Sequence, residues 1–286
     1  MIEPQPYNAF EHLRRSIFSI SATEKLMCML SLYGDESGTD GRSPIVAVAG
    51  YVASDDAWAA FQVEWKQFCD DNKIVDFHTT DFLAHKKEFT EQNGWTEKRS
   101  KSASRIIDNI IAKHVEFGAV AVAVIADCEE LFPLQGRRKF ALEYAMAATL
   151  LVSETTKWAH KNKYTEPIRF IFDRGPHGKG YVMAGIDRWQ NMGHARSHLV
   201  GGHSFENKKD VPQLLAADWL VNHTWRISRR YLSDPQAWDK KMAERIKKLK
   251  VGASGKVDRK YLSASIEATQ KLTNTFYEET NEQKGT

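Results

Sequence analysis

The chain has 286 residues, of which 42% are hydrophobic and 27% are charged. This composition is typical of a folded globular protein and excludes disorder along the whole chain. Its 40 basic and 37 acidic residues give a net charge of +3. That balance is too even to indicate a nucleic-acid partner by itself, so such a partner must be argued from local clusters.

The three cysteines, Cys28, Cys69 and Cys128, are far apart and form no Cys-x-x-Cys pair. Neither a disulfide framework nor a zinc site is therefore expected. No run of 18 apolar residues occurs, and the first 20 residues lack the apolar core of a signal peptide. These features predict a cytoplasmic protein with no membrane partner, and they do not indicate an oligomeric state.

The first part of the chain predicts two strands and a helix after a leader over residues 1–24. Apolar and β-branched runs over Leu26–Tyr33 and Ile45–Val52 are typical of buried strands, and the turn-rich link between them predicts a hairpin. A helix is expected from Ser54, whose hydroxyl suits an N-cap. Aromatic residues then recur at helical spacing, which is typical of a stripe facing the core: Trp58, Phe61, Trp65 and Phe68.

Further along the chain, strands and helices alternate. Strands are predicted over Phe117–Ala126, Ile168–Phe172 and Ser197–His203, and the intervening helices over Ser104–His114, Arg137–Trp158, Tyr181–Gln190 and Pro212–Trp225. This alternation predicts an α/β architecture with partly parallel strands. The highly charged segment over residues 233–286 is expected to form a peripheral helical extension.

Two acidic residues follow predicted strands directly. Asp35 comes after the first strand, and Asp173 comes after the strand Ile168–Phe172. Sites in open α/β sheets gather at the carboxyl ends of strands, so the two carboxylates share one crevice if their strands are parallel neighbours. The alternative is that each is an ordinary turn residue, because aspartate is common in turns that contain glycine.

Two further acids lie on apolar helices. Asp218 shares a helix face with Leu214 and Val221, where an ionised carboxylate is costly unless it is paired, hydrogen-bonded or bound to metal. The alternative is a buried aspartate satisfied by the backbone or by an arginine. Glu143 also has apolar neighbours, and its alternative is an exposed position on an otherwise buried helix.

Acids that converge in this way predict a site for hard cations. Oxygen ligands without a cysteine cluster favour Mg²⁺ or Mn²⁺. Two such ions about 3.5–4 Å apart can hydrolyse a phosphodiester bond. The substitution Asp218→Asn is then expected to abolish nuclease activity while leaving the fold intact or even stabilising it, because it relieves repulsion between crowded acids.

Four motifs together resemble a known family. They are Tyr33–Gly38 (YGDESG), Phe77–Asp81 (FHTTD), Phe172–Arg174 (FDR) and Pro212–Asp218 (PQLLAAD). This pattern resembles the family called domain of unknown function 3800, which is grouped with the ribonuclease-H-like superfamily of nucleases and integrases. The resemblance covers residues 28–230.

The resemblance implies a ribonuclease-H-like mixed sheet over residues 25–232, flanked by helices, with the first strand central and a helical insertion at about 54–116. It implies a metal site formed by Asp35, Asp173 and Asp218, with Glu143 as a further catalytic acid. Three other residues are expected to support that site from outside the ligand set: Glu36, His78 and Asp81. Glu36 is expected to point away from Asp35 if the strand continues through both. The imidazole of His78 could instead lie in an ordinary turn.

A basic segment follows the helix of Asp218. Lys240, Lys241, Lys247 and Lys248 are expected to contact the phosphate backbone of DNA or RNA. The alternative is a solvated charged face.

These patterns predict a metal-dependent nuclease that uses two ions. One alternative is a catalytically inactive module that binds nucleic acid or protein within a defence system or mobile element. A lesser alternative is a haloacid-dehalogenase-like phosphatase, although Ser37 stands where that family has a second aspartate.

Overall fold

The computed structural model describes residues 30–131, 141–175, 179–191, 193, 195–234, 236, 240–260 and 262–263, with the backbone alone over 240–243. The predicted leader over residues 1–24 lies outside this range, as do residues 26–29 of the first predicted strand. None of the helices in the described part of the chain is both long and apolar enough to cross a lipid bilayer.

Six strands of the described chain form one mixed sheet in the order β5-β4-β1-β2-β3-β6. The strands are β1 (Leu30–Ser37), β2 (Ile45–Ser54), β3 (Phe117–Val124), β4 (Ile168–Asp173), β5 (Val200–Glu206) and β6 (Val251–Val257). β1, β2 and β3 pair antiparallel, whereas β4 joins the other side of β1 in parallel and is followed by β5. The predicted hairpin and the internal position of the first strand are therefore both present.

Helices cover both faces of the sheet. One face packs against α5 (Ala141–Lys161) and α6 (Lys179–Asn191), and α4 (Ile125–Leu131) lies at its margin. The other face packs against α1 (Asp55–Asn72), α2 (Thr79–Leu83), α3 (Glu97–His114) and α7 (Leu214–Ser233). The predicted mixed α/β sheet flanked by helices is thus confirmed.

The segment between β2 and β3 is helical and contributes much of one core. Ser54 caps α1 by accepting a hydrogen bond from the Ala57 N–H, as its sequence position predicts. The aromatic stripe of α1 is buried, with Phe61 stacked on Trp65 and Trp65 edge-on to Phe77. The stripe therefore belongs to the core, where aromatic residues each remove a large apolar area from water.

The C-terminal charged segment differs from its prediction. A short helix, α8 (Lys240–Lys248), is followed by β6, which pairs in parallel with β3 and extends the sheet by one strand. Its alternating burial is the pattern of an edge strand with one face on the core. The many charged residues of this segment predict a peripheral helix, and the short apolar alternation of β6 among glycines and a lysine gives little sequence signal for a strand.

Candidate metal centre

Two strand ends bring the first two acids together. β1 and β4 are parallel neighbours in which Gly34 lies opposite Phe172. Asp35 and Asp173 follow these residues directly, so they lie side by side at the carboxyl ends of the two strands. Asp35 is buried, whereas the side chain of Asp173 is 16% exposed. This arrangement gives the crevice between them one closed side and one side that solvent can reach.

Glu36 joins the same cluster, in contrast to its predicted orientation away from Asp35. β1 does continue through both residues, yet ligand oxygens of Asp35, Glu36 and Asp173 all lie within 4.8 Å of one another. The Asp35 carboxylate turns back to accept a hydrogen bond from the Glu36 N–H at 2.8 Å. Gly175 packs closely against the Glu36 carboxylate, so any side chain at position 175 would displace that carboxylate.

Asp218 reaches the cluster from α7. It is buried on the face that packs against the sheet, as its apolar neighbours indicated. Its Oδ2 accepts a hydrogen bond from the Thr79 N–H at 2.9 Å, and its Oδ1 accepts one from the Asn222 side-chain amide at 3.2 Å. Asn222 also accepts a hydrogen bond from the Thr80 hydroxyl. The α2 N-terminus is thus tied to α7 through the site. We use the term acidic cluster for Asp35, Glu36, Asp173 and Asp218.

Lys208, which no sequence pattern indicated, connects the acids of the cluster. The link between β5 and α7, residues 207–213, carries this side chain over the carboxyl ends of β4 and β1. Its ammonium contacts Asp35 Oδ2 at 2.7 Å, Asp218 Oδ1 at 3.2 Å and Asp173 Oδ2 at 3.5 Å. Three predicted site acids therefore share one cation, and the chain itself supplies that cation.

Burial and mutual repulsion set the charge of the cluster. Burial raises the pKa of Asp35 well above its usual value, against the attraction of Lys208, and it raises the pKa of Glu36 to about 7. Burial also opposes ionisation of Asp218, but Lys208 and the Thr79 hydrogen bond outweigh it and lower that pKa. Burial alone would lower the pKa of Lys208, but the surrounding carboxylates raise it, so the ammonium stays charged.

The remaining predicted residues occupy different places. Glu143 is buried in the first turn of α5, but it is not part of the three-residue ligand group found among the described residues, and neither is Asp218. The imidazole of His78 lies 3.5 Å from Asp76, and Asp81 pairs with Lys87 at 2.7 Å. The motif of residues 77–81 does reach the cluster, but through the backbone N–H of Thr79.

A cavity of about 590 Å³ opens beside the cluster. Asp173 and Lys208 form part of its wall, which gives the acids access to a space large enough for a small organic group. Apolar side chains of α1, the following loop and the start of α7 form much of the rest: Trp65, Ile74, Phe77 and Leu215. The site is therefore a polar corner of a partly apolar cleft.

In the C-terminal basic segment, some side chains are exposed to solvent and others contact the rest of the fold. Lys247 and Lys248 are exposed, whereas the side chains of Lys240 and Lys241 lie outside the described residues. Arg245 faces inward and donates two hydrogen bonds to Asp108, at 2.7 and 2.9 Å. Arg245, which lies between the predicted lysines in the sequence, therefore fixes α8 to α3 and is only partly exposed.

No family model matches the chain, and no curated protein matches it either. Among solved structures, the chain is similar to Bst-RNase HIII in complex with Mn²⁺, at 14% identity and a TM-score of 0.42. It is similar to a mutant of Bst-RNase HIII at 15% identity and a TM-score of 0.43. Each alignment covers 74% of this chain and 57% of the other, so this chain spans little more than half of those structures.

The chain is also similar to the structure of the PCNA:RNase HII complex from Archaeoglobus fulgidus, at 12% identity and a TM-score of 0.38. That alignment covers 77% of this chain and 87% of the other. Likenesses at this level concern the fold alone and carry no argument about activity, so the function has to be argued from the side chains of this chain.

Proposed function

We propose that this chain is a nuclease that depends on Mg²⁺ or Mn²⁺ and hydrolyses phosphodiester bonds in nucleic acid. The observation that carries the proposal is the acidic cluster, in which three residues from two neighbouring strand ends place ligand oxygens within 4.8 Å of one another. Membership of the domain of unknown function 3800 family is part of the same proposal, because its motifs supply Asp35, Glu36, Asp173 and Asp218.

The donor set fits a hard divalent cation. All its ligand atoms are carboxylate oxygens, and their spacing is close to what one ion with ligand distances of about 2.1 Å can bridge. Glu36 Oε2 is buried and accepts no hydrogen bond from the described residues. An acceptor in that position is costly unless a cation or a proton satisfies it. The raised pKa values of Asp35 and Glu36 indicate the same need for positive charge.

The residues of the chain then have separate tasks. Asp35, Glu36 and Asp173 would hold the ion, which when bound polarises the phosphate and lowers the pKa of a water molecule. Lys208 attracts the phosphate and balances negative charge beside it. Thr79 and Asn222 orient Asp218, which in turn fixes the ammonium of Lys208. The cleft beside Asp173 gives the neighbouring part of the substrate a place to bind.

The substitutions Asp35→Asn and Asp173→Asn test this proposal. Each removes a charged ligand oxygen, so we expect weaker Mn²⁺ binding and a loss of cleavage of at least about 100-fold. The measurement is cleavage of labelled single- and double-stranded DNA and RNA with Mg²⁺ or Mn²⁺, together with calorimetric Mn²⁺ titration. Asp40→Asn is the matched control, because Asp40 is an exposed acid in the loop after β1.

Two results would contradict the proposal. Cleavage that survives Asp35→Asn at the wild-type rate would exclude a role for the cluster. Hydrolysis of a phosphate monoester with no cleavage of any nucleic acid would favour the phosphatase alternative.

One observation favours a second candidate, a catalytically inactive module that binds nucleic acid or protein. Lys208 already pairs with three of the four acids, and buried ion pairs can persist for structural reasons. The two candidates differ in metal binding, because an inactive ion-pair network has no need of a divalent ion. Failure of the wild-type chain to bind Mn²⁺ would therefore favour the inactive module.

A further inference from the structure

The ammonium of Lys208 lies where an added cation could otherwise bind. It contacts carboxylate oxygens from β1, β4 and α7, and its side chain is only 17% exposed. A surface lysine seldom gives up its hydration in this way unless anionic groups replace the water. The position between Asp35 and Asp218 is thus already occupied by a positive charge that belongs to the chain.

The hydrogen-bond acceptors of Asp218 are already used by the Lys208 ammonium and by neighbouring amide groups. Its Oδ1 accepts hydrogen bonds from Lys208 and Asn222, and its Oδ2 accepts one from the Thr79 N–H. A carboxylate that accepts three such bonds is satisfied without a metal ion. This arrangement separates Asp218 from the metal-ligand role that the sequence predicts for it.

The other three acids remain as a compact ligand group. The oxygens of Asp35, Glu36 and Asp173 approach one another within 4.8 Å. Asp35 belongs to both arrangements, because its Oδ2 contacts Lys208 while its carboxylate also belongs to this group. The cluster therefore provides two neighbouring cation positions, one with a lysine already bound and one formed only by acids.

We propose that Lys208 takes the place of the second metal ion, so that the site binds one divalent ion per chain at Asp35, Glu36 and Asp173. The inference rests on the proposed nuclease function and replaces the two-ion mechanism that the sequence predicts. In two-ion sites the second cation lies about 3.5–4 Å from the first and neutralises charge at the scissile phosphate. Here the ammonium supplies that charge, and the link over residues 207–213 holds it in place.

The test is the number of Mn²⁺ ions that each folded chain binds, counted by calorimetry and by electron paramagnetic resonance of the free ion. The wild-type chain should bind one. Lys208→Arg keeps the positive charge and should also bind one. Lys208→Met leaves the position between Asp35 and Asp218 open to a cation and should bind two. These counts do not depend on cleavage of any substrate.

Two ions bound to each wild-type chain would overturn the inference. A Lys208→Met chain that binds one ion with wild-type affinity would overturn it as well. Should Lys208→Met fail to fold, the wild-type count alone still decides the question. One bound ion without cleavage of any nucleic acid would contradict the proposed nuclease function and leave the role of Lys208 intact, whereas two bound ions with cleavage would do the reverse.

Discussion

The carboxylate of Asp218 accepts hydrogen bonds from three donors. Lys208, Asn222 and the Thr79 N–H all donate to it. Burial opposes its ionisation, but Lys208 and the Thr79 hydrogen bond outweigh burial and lower the pKa of Asp218. A carboxylate whose folded-state pKa is below its unfolded value contributes stability above that unfolded value, and this contribution is lost as the pH falls through the folded pKa. At neutral pH the charge of Asp218 therefore stabilises the fold.

Asp218→Asn should destabilise the metal-free protein by about 1–3 kcal/mol, because the amide places a donor against the Thr79 N–H or the Lys208 ammonium. This reverses the expectation from sequence, which counted the repulsion between acids but did not include Lys208. Urea unfolding at pH 7 in the presence of a chelator is the measurement. Asp70→Asn provides the control, because Asp70 pairs with Lys66 on the surface and such pairs contribute less than about 1 kcal/mol. Unchanged or increased stability of Asp218→Asn would show that repulsion between the acids outweighs the hydrogen bonds that Asp218 accepts.

At the level of elements, strand order determines which parts of the site the sequence can reveal. Asp35 and Asp173 could be placed together because each follows an apolar run directly, and parallel neighbouring strands end at the same edge. Asp218 could be found from helical periodicity. Asn222 offered a weaker signal, since it lies four residues after Asp218 on the same helix face.

Other parts of the site carry no periodic signal. Lys208 lies in an irregular link, and lysines in such links usually face solvent. Thr79 contributes a backbone N–H, which every residue other than proline has, so its identity reveals nothing. Glu36 was predicted from ideal strand alternation, but at the strand end its long side chain and the adjacent Gly175 allow it to reach Asp35. These contacts depend on tertiary structure and could not be inferred from spacing.

The docking of α8 depends on one half-buried arginine. Arg245 donates two hydrogen bonds to Asp108, which also accepts a hydrogen bond from the Trp219 indole at 2.9 Å. The Arg245 guanidinium also lies 5.3 Å from the centre of the Trp219 ring. Because β6 begins three residues after α8 ends, this contact anchors the edge strand as well as the helix.

Arg245→Met should reduce stability by about 1–3 kcal/mol, since it leaves a half-buried Asp108 without its charged partner. We also expect Arg245→Met to accelerate amide hydrogen exchange in β6 more than in β1, relative to the wild-type chain. An edge strand that loses its anchor opens locally before the whole fold does. Lys247→Met on the same helix is the control, as its side chain is exposed. Equal exchange rates in the two variants would show that α8 does not hold β6.

At the scale of the whole molecule, the basic helix α8 and the acidic cluster lie near different strands of the sheet. The acidic cluster is at the carboxyl ends of β1 and β4, whereas α8 leads into β6, three strands away from β1. Neighbouring strands are about 4.8 Å apart, so a lysine on α8 is on the order of 14 Å or more across the sheet from Asp35. At that distance a lysine would reach the backbone of the nucleic acid that we propose binds at the cluster, but it would be too far away to take part in chemistry there.

Lys247→Gln combined with Lys248→Gln should therefore weaken binding to nucleic acid without changing the rate at saturating substrate. Each lysine that contacts a phosphate releases a counterion on binding, so the dependence of log affinity on log salt should become shallower by up to about 2. The measurement is binding of labelled DNA and RNA over a salt series.

Lys157→Gln combined with Lys161→Gln removes the same charge from the end of α5, on the opposite face of the sheet, and should leave the slope unchanged. An equal change in both double variants would mean that net charge alone sets the affinity, and an unchanged slope in the Lys247 and Lys248 variant would show that α8 presents only a solvated face.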